Sequence, residues 1–523
     1  MINVAATIDW NGFSPVYPML FIVGTIFVLL TLPIIQGKRQ GTYYNLIAFS
    51  GLTLSLLSVL QQAGADQNEA LIKPDSSGAL GSGLLLDPMN WLLGLLIICC
   101  ALFSVMLTSL TGQNKSRTDL PEHFIFILVS AIGWRLAISS NNFLMLFVGI
   151  NTGALPLFLL IAQRSNRLGR QAVLNMCVRG LVCLAIIFYG TSLYYFGFHT
   201  TSFNPASVST TPFNVRVLIT LGLLLVLSGY LYFSGCFPAH LWMADIQEAC
   251  DPGVAFFSAT APVLACFAFI LRIIPLMEQI GGSFTNKFNV FAVYFIVCGV
   301  LTCISANIAA LAERNLLRML GRLTNGLVGG LLLSIGAVFM ISKMFTNTGR
   351  AAIAGNVILY VLTIGLSFPG ILVLVQNERV VEFSDLPAAA SRKPLAAFCA
   401  VIAVGSMVGF PLTSGFVFKL RLAALLTSHI NWSTLFAIAG FAVGTLLSII
   451  VWLRLSAWIY IRGMVVERIK TGSAMLVLAV ALALPNAALA VVYDPLNRLV
   501  DAFTPLTPAN QNTMPSMPPI RQE

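Results

Sequence analysis

Long apolar stretches follow one another along the chain, separated by short polar turns. A membrane-crossing helix needs about 20 predominantly apolar residues. Stretches of that kind lie near 17–35, 43–60, 89–110, 123–138, 143–162, 172–197, 215–234, 254–277, 289–312, 319–341, 352–376, 395–424, 432–459 and 473–495. The pattern predicts an all-α polytopic membrane protein with about fourteen spans. Only the polar turn from Ser139 to Asn142 separates the fourth span from the fifth, and merging the two would invert every later loop.

Charge tests that parity. The loops after spans one, three, five, nine, eleven and thirteen hold sixteen basic residues: Lys38, Arg39, Lys115, Arg117, Arg164, Arg167, Arg170, Arg314, Arg318, Arg322, Arg379, Arg392, Lys393, Arg462, Arg468 and Lys470. The opposite loops hold four, Lys73, Lys287, Lys343 and Arg350. Cytoplasmic loops carry the excess of Lys and Arg, so both termini are expected on the non-cytoplasmic side. The formal net charge of +10 then reflects topology, and no nucleic-acid partner is expected. Only 9% of residues are charged and the mean hydropathy is +0.88. Soluble domains carry about 25% charged residues, so a soluble globular enzyme is excluded.

The first apolar stretch has no basic segment before it, which reads as a retained span and not a cleaved signal. The largest gap, Gln61 to Pro88, is short and polar. A single membrane domain over 1–523 is expected, with first three spans in 1–110, a first repeat in 123–277, a second in 289–459, a last span at 473–495 and a disordered tail at 504–523. No nucleotide, flavin or redox domain has room to fit, so no cofactor is expected in this chain. Ten cysteines lack any C-x-x-C spacing and only four histidines accompany them, which points to packing thiols and no metal site.

Acidic residues usually carry intramembrane proton relays, yet none of the 19 falls at the middle of a span. The spans instead contain Arg135, Arg179, Arg272, Lys419, Arg421 and Arg454, several placed to snorkel from span ends. Lys419 follows Gly405, Gly409, Pro411 and Gly415. Pro411 removes a backbone donor, so a broken helix there is expected to line a hydrated cavity. Lys419 stands open between a relay and a structural counter-ion. Gly229, Gly235 and Pro238 mark a second interruption in span seven. Phe-Pro occurs at both, at 237–238 and 410–411. Interrupted helices at matching places in two halves point to inverted five-helix repeats with broken helices seven and twelve.

At these residues the chain resembles a known family. The stretch PAHLWMADIQEACDPGV from Pro238 to Val254 resembles the P-x-H-x-W-x-P-D motif of antiporter-like subunits of respiratory complex I. Related subunits occur in cation/proton antiporters and membrane-bound hydrogenases. Gly149 to Phe158, Ala310 to Arg322 and Gly409 to Lys419 are similar to further family segments, in the family's order. The resemblance covers roughly residues 85 to 460, and its wording is closest to the N-type subunit of bacterial NADH:quinone oxidoreductase. It implies a multi-pass subunit of the bacterial inner membrane, within a lipid bilayer, whose partners are other membrane-arm subunits.

The departures bear on mechanism. The family's glutamate in span five falls at Asn151, its span-seven lysine at Phe233, its span-eight lysine at Val263 and its tenth-span histidine at Leu327. The proline before the motif aspartate is Ala244. Lys419, His240 and Asp245 remain. The resemblance implies a pump in which a carboxylate tunes a nearby lysine, since an opposite charge within about 4–6 Å favours the protonated form. Asn151 cannot ionise and Phe233 cannot carry a proton. A degenerate, sealing subunit is therefore expected. The alternatives are a subunit still active through Lys419, His240 and waters, with arginines such as Arg179 replacing lost charge, or a subunit of a related antiporter or hydrogenase. Arginine's high pKa makes it an electrostatic fixture and a poor proton carrier.

The remaining charged residues have plainer expectations. His240 is expected to cap or pack at the end of span seven, and Asp245 and Glu248 to be solvated at the cytoplasmic surface or to bridge to a neighbouring subunit. Arg314, Arg318 and Arg322 share one helix face, expected to meet lipid phosphates or to serve topology, with a partner subunit as the alternative.

Overall fold

The computed structural model describes residues 17–36, 42–65, 83–85, 87–111, 121–163, 167–205, 211–238, 240–281, 289–340, 347–378, 382–383, 386, 390, 394–428, 430–460 and 473–488. These form sixteen helices: α1 (Tyr17–Gln36), α2 (Thr42–Ala65), α3 (Pro88–Thr111), α4 (Pro121–Ser139), α5 (Phe143–Ala162), α6 (Arg167–Phe198), α7 (Phe213–Phe233), α8 (Trp242–Ala249), α9 (Pro252–Gly281), α10 (Val290–Ala312), α11 (Leu316–Met340), α12 (Asn347–Glu378), α13 (Pro394–Val408), α14 (Ser414–Thr427), α15 (Trp432–Tyr460) and α16 (Ser473–Ala488). Eleven are long and apolar enough to cross a membrane. The chain is an all-α polytopic membrane protein. The expected tail at 504–523 lies outside the described residues.

The bundle is built around α9, whose apolar window is wholly buried; α3, α4 and α12 pack on it. Neighbours in sequence pair as hairpins, α4 with α5, α6 with α7 and α10 with α11. In lipid the helices gain no hydrophobic drive toward one another, so close approach at small residues matters more. A Cβ on Gly133 would stand 2.1 Å from the Gly153 backbone nitrogen, and one on Gly329 would stand 2.8 Å from the Cys303 nitrogen. Gly229 belongs to this packing class: α7 runs straight through it, and a Cβ there would meet the Cys183 carbonyl at 2.7 Å.

The turn between the fourth and fifth expected spans separates two helices. Asn142 caps α5 by accepting from the Met145 backbone N–H at 2.7 Å, as an N-cap side chain does. Of the ten cysteines, none is disulfide-bonded and six are buried.

The helix after Phe233 breaks at Ser234, with Gly235 at φ +76°, and resumes as the short α8. In the twelfth stretch, α13 and α14 are separated by residues 409–413, with Gly409 at φ +88°. Gly405 and Gly415 lie inside the two helices. Gly415 is required by proximity: its Cβ would stand 1.8 Å from the Ser406 carbonyl oxygen.

Candidate functional site

Phe233 belongs to an aromatic plug, which meets the helix of Asn151 at Gly153. Asn151 in α5 spends its amide on its own helix, Nδ2 donating to the Phe147 carbonyl at 2.8 Å, the local back-bonding of a mid-helix amide. Phe233, at the end of α7, is fully buried. Its ring centroid lies 5.2 Å from Tyr232 and 6.3 Å from Trp134. Trp134 presses on Gly153, where a Cβ would stand 2.7 Å from the indole. The Tyr232 hydroxyl donates to the Met176 carbonyl at 2.9 Å, and Trp242 Nε1 donates to the Tyr232 carbonyl at 2.8 Å. Val263 is wholly buried in α9.

Lys419 occupies a different environment on α14. Its stem passes Gly409 in the break, where a Cβ would stand 2.7 Å from Lys419 Cδ. Its Nζ donates to Ser448 Oγ at 3.1 Å, and among the described residues no ion pair includes it. A cavity of about 20 Å³ adjoins it, lined among others by Cys303, Asn307, Leu327, Thr445 and Ser448. That is room for one water, which can take an ammonium donor that Ser448 leaves free. Leu327 thus shares the cavity with Lys419 and gives it an apolar wall.

His240 stands apart from Lys419. Its carbonyl accepts from Asn325 Nδ2 at 2.8 Å, and its ring lies 5.9 Å from Phe237. Burial, and then the neighbouring Arg322 charge, hold the imidazole below its ordinary value. Asn325 is followed by Gly326, a lining residue of the Lys419 cavity. Asn325 and Gly326 are thus neighbours on α11, one bonded at the α7 break and the other lining the Lys419 cavity.

The break between α13 and α14 is stitched by the last helix. Asn486 Oδ1 of α16 accepts from Ser406 Oγ at 2.9 Å, Ser414 Oγ at 2.8 Å and the Ser414 N–H at 3.3 Å. It supplies the first turn of α14 with an acceptor that the interrupted chain cannot provide.

Arg318 and Arg322 of the arginine face are taken up by ion pairs within the protein, and Asp245 and Glu248 are not free carboxylates. Arg314 precedes α11 and is exposed, whereas Arg318 turns inward. Arg318 bonds Asp245 at 3.1 Å, Glu248 at 3.0 Å and Glu313 at 3.2 Å, and Arg322 bonds Glu313 at 3.3 Å. The opposite charges on α8 and at Glu313, just before α11, are held in place by the fold. Burial raises the Asp245 carboxyl above its ordinary value, and Arg318, Arg322 and Arg179 draw it part of the way back. Three further arginines have partners or close packing within the protein. Arg272 pairs with Asp87 at 2.8 Å and reaches the Ser140 carbonyl. Arg454 bonds the Leu311 carbonyl and lies 4.5 Å above the Phe383 ring. Arg135 is 1% exposed, lodged against Gly94.

Sequence reasoning passed over Trp134, Asn307, Asn325, Ser448 and Asn486. The signal for the asparagines was present: an amide inside an apolar span needs a partner. Trp134 carried no such mark, since an aromatic in a span is ordinary.

The comparisons with known proteins agree with this architecture. Residues 140–448 match the family model described as NADH:quinone oxidoreductase/Mrp antiporter, TM. The chain belongs to this family. Among curated relatives it is similar to NADH-quinone oxidoreductase subunit N of Thioalkalivibrio sulfidiphilus, 26% identical over 84% of this chain and 88% of the relative. It is also similar to subunit N of Nitrosomonas europaea, 26% identical over 83% and 86%. Three solved structures share the fold. A chain of respiratory complex I from Thermus thermophilus with bound aureothin has a TM-score of 0.70 at 21% identity, covering 93% of this chain and 99% of that one. A chain of an archaeal membrane-bound sulfane sulfur reductase gives 0.76 at 18%, covering 94% and 96%. One from the Mrp complex of a Dietzia species gives 0.73 at 17%, covering 94% and 97%.

Proposed function

We propose that this chain is a membrane-arm subunit of a proton-translocating NADH:quinone oxidoreductase, degenerate in its own proton path and acting chiefly as a structural, sealing element. The resemblance to subunit N over most of both chains supports the assignment. The aromatic plug carries the degeneracy: Phe233, Trp134 and Tyr232 pack where the family's lysine would sit, and the Asn151 amide turns back on its own helix. The Phe233 ring has no proton to exchange, and a back-bonded amide adds no charge to tune a neighbour.

In this reading about fourteen crossings form two inverted five-helix repeats, over 123–277 and 289–459, in a bacterial inner membrane with both termini on the non-cytoplasmic side. The electron carriers belong to partner subunits, and this chain binds none. A second reading has its own support. Lys419 keeps a lysine, a hydroxyl and a water-sized cavity together, the parts of a relay in an oxidoreductase, a cation/proton antiporter or a hydrogenase.

Purification through a tag in mild detergent, followed by mass spectrometry, tests the assignment. Recovery with flavin, iron–sulfur and other membrane subunits is expected. Recovery alone, as a monomer or homodimer, would overturn it.

A further inference from the structure

The break in the twelfth stretch lies open on the outside of the bundle. Phe410 is 50% exposed and Leu412 62% exposed, with Pro411 exposed between them. Leu412 holds φ +71°, a left-handed conformation that a residue with a side chain seldom adopts. The inner side of the break is served by Asn486, Ser406 and Ser414. Among the described residues, no hydrogen bond reaches the carbonyls of Gly409, Pro411 or Leu412.

Depth makes this decisive. Fifteen helical residues precede the break and fourteen follow it, about 21–23 Å of helix on either side. In a hydrocarbon core about 30 Å thick, the break falls near mid-depth. Irregular backbone there is tolerated only where protein buries it or where it lines a water-filled cavity. Acyl chains offer no donor to a carbonyl, and the exposed side chains around it are apolar.

We propose that residues 409–413 are an interaction surface covered by a transmembrane helix of another subunit of the same complex. The covering helix is apolar, with a hydroxyl or amide side chain near mid-depth that donates to the freed carbonyls. Leu395 and Phe398 of α13 and Leu420 of α14 are exposed above and below the break, so the contact extends along both half-helices. The partner also dries the flank of Lys419, whose stem lies against Gly409. This inference rests on the membrane-arm assignment above.

The test uses the intact complex in native membranes. A cysteine is placed by Leu412→Cys and labelled with a photoactivatable maleimide. Phe410→Cys serves where the left-handed position blocks folding, and Val178→Cys on α6, also 62% exposed, gives a second surface for comparison. Before irradiation, co-purifying subunits are identified, which tests the parent assignment separately. The proposal expects a product at 412 or 410 whose peptide map places the cross-link in an apolar helix of a stoichiometric subunit, within one turn of Ser, Thr, Asn or Gln. It also expects lipid adducts at 412 or 410 to fall at least fivefold below those at 178. Lipid adducts as frequent as at 178, a product between two copies of this chain, or a cross-link confined to one chain would each overturn it.

Discussion

The Trp134 indole of α4 and the Phe233 ring at the end of α7 meet with centroids 6.3 Å apart, and the same indole rests on Gly153 of α5. One aromatic contact thus closes the meeting point of three helices.

Removing the indole should open it. Trp134→Ala is expected to cost about 3–5 kcal/mol, as large-to-small changes in packed interiors do. It should also raise passive proton leak in vesicles, because the void lies beside the Asn151 helix. Thermal unfolding in detergent and a pH-sensitive dye read the two effects. A variant with native stability and native tightness would remove the plug from the account.

Gly133→Ala is expected to destabilise by about 1–3 kcal/mol, since its Cβ would land 2.1 Å from the Gly153 backbone nitrogen and backbone cannot swing aside. Gly24→Ala is the comparison: nothing lies within 4 Å of a Cβ there, and the change should be neutral or slightly stabilising through helix propensity.

Arg318→Ala takes the common partner from Asp245, Glu248 and Glu313. Leaving partly buried carboxylates unpaired is expected to cost about 1–3 kcal/mol near neutral pH. The pH dependence has a definite sign. Burial already raises the Asp245 carboxyl, and losing Arg318 raises it further. A carboxyl whose folded value exceeds its unfolded value stabilises below the unfolded value, and that contribution is lost as pH rises through the folded one. The deficit of the variant should therefore shrink on acidification and widen toward pH 8 in a series of thermal melts. A deficit independent of pH would assign the loss to packing.

Asn486→Ala should loosen the joint between α13 and α14, because three donors lose their acceptor. An expected loss of about 1–3 kcal/mol follows from stranding buried donors. Asn486→Ser, which keeps an acceptor, should recover part of it. Hydrogen exchange at the Ser414 amide is the direct readout, with faster exchange expected in Asn486→Ala.

Much of the architecture could be read from hydropathy, because a bilayer demands long apolar helices whose lengths and turns are written locally. The Ser139–Asn142 turn was such a local feature, and so was Pro411, whose missing donor marks the break. The arginines were misread because pairing is a tertiary matter: nothing in the spacing of Arg318 and Arg322 says that α8 will carry Asp245 and Glu248 to them. Gly229 looked like a breaker, yet Cys183 of α6 needs its absent side chain for close approach. That Asn151 and Phe233 carry no charge is plain in the sequence. What surrounds Phe233, a plug built with Trp134 from another helix, required the packed structure.

The central claim is that protons do not pass by titration of this subunit. The most direct measurement is the proton-to-electron ratio of the assembled complex in sealed vesicles, compared between the native chain and Lys419→Ala at matched assembly. The same ratio is expected in both. A clear drop in Lys419→Ala would contradict it and make Lys419, with its Ser448 contact and water-sized cavity, the working relay.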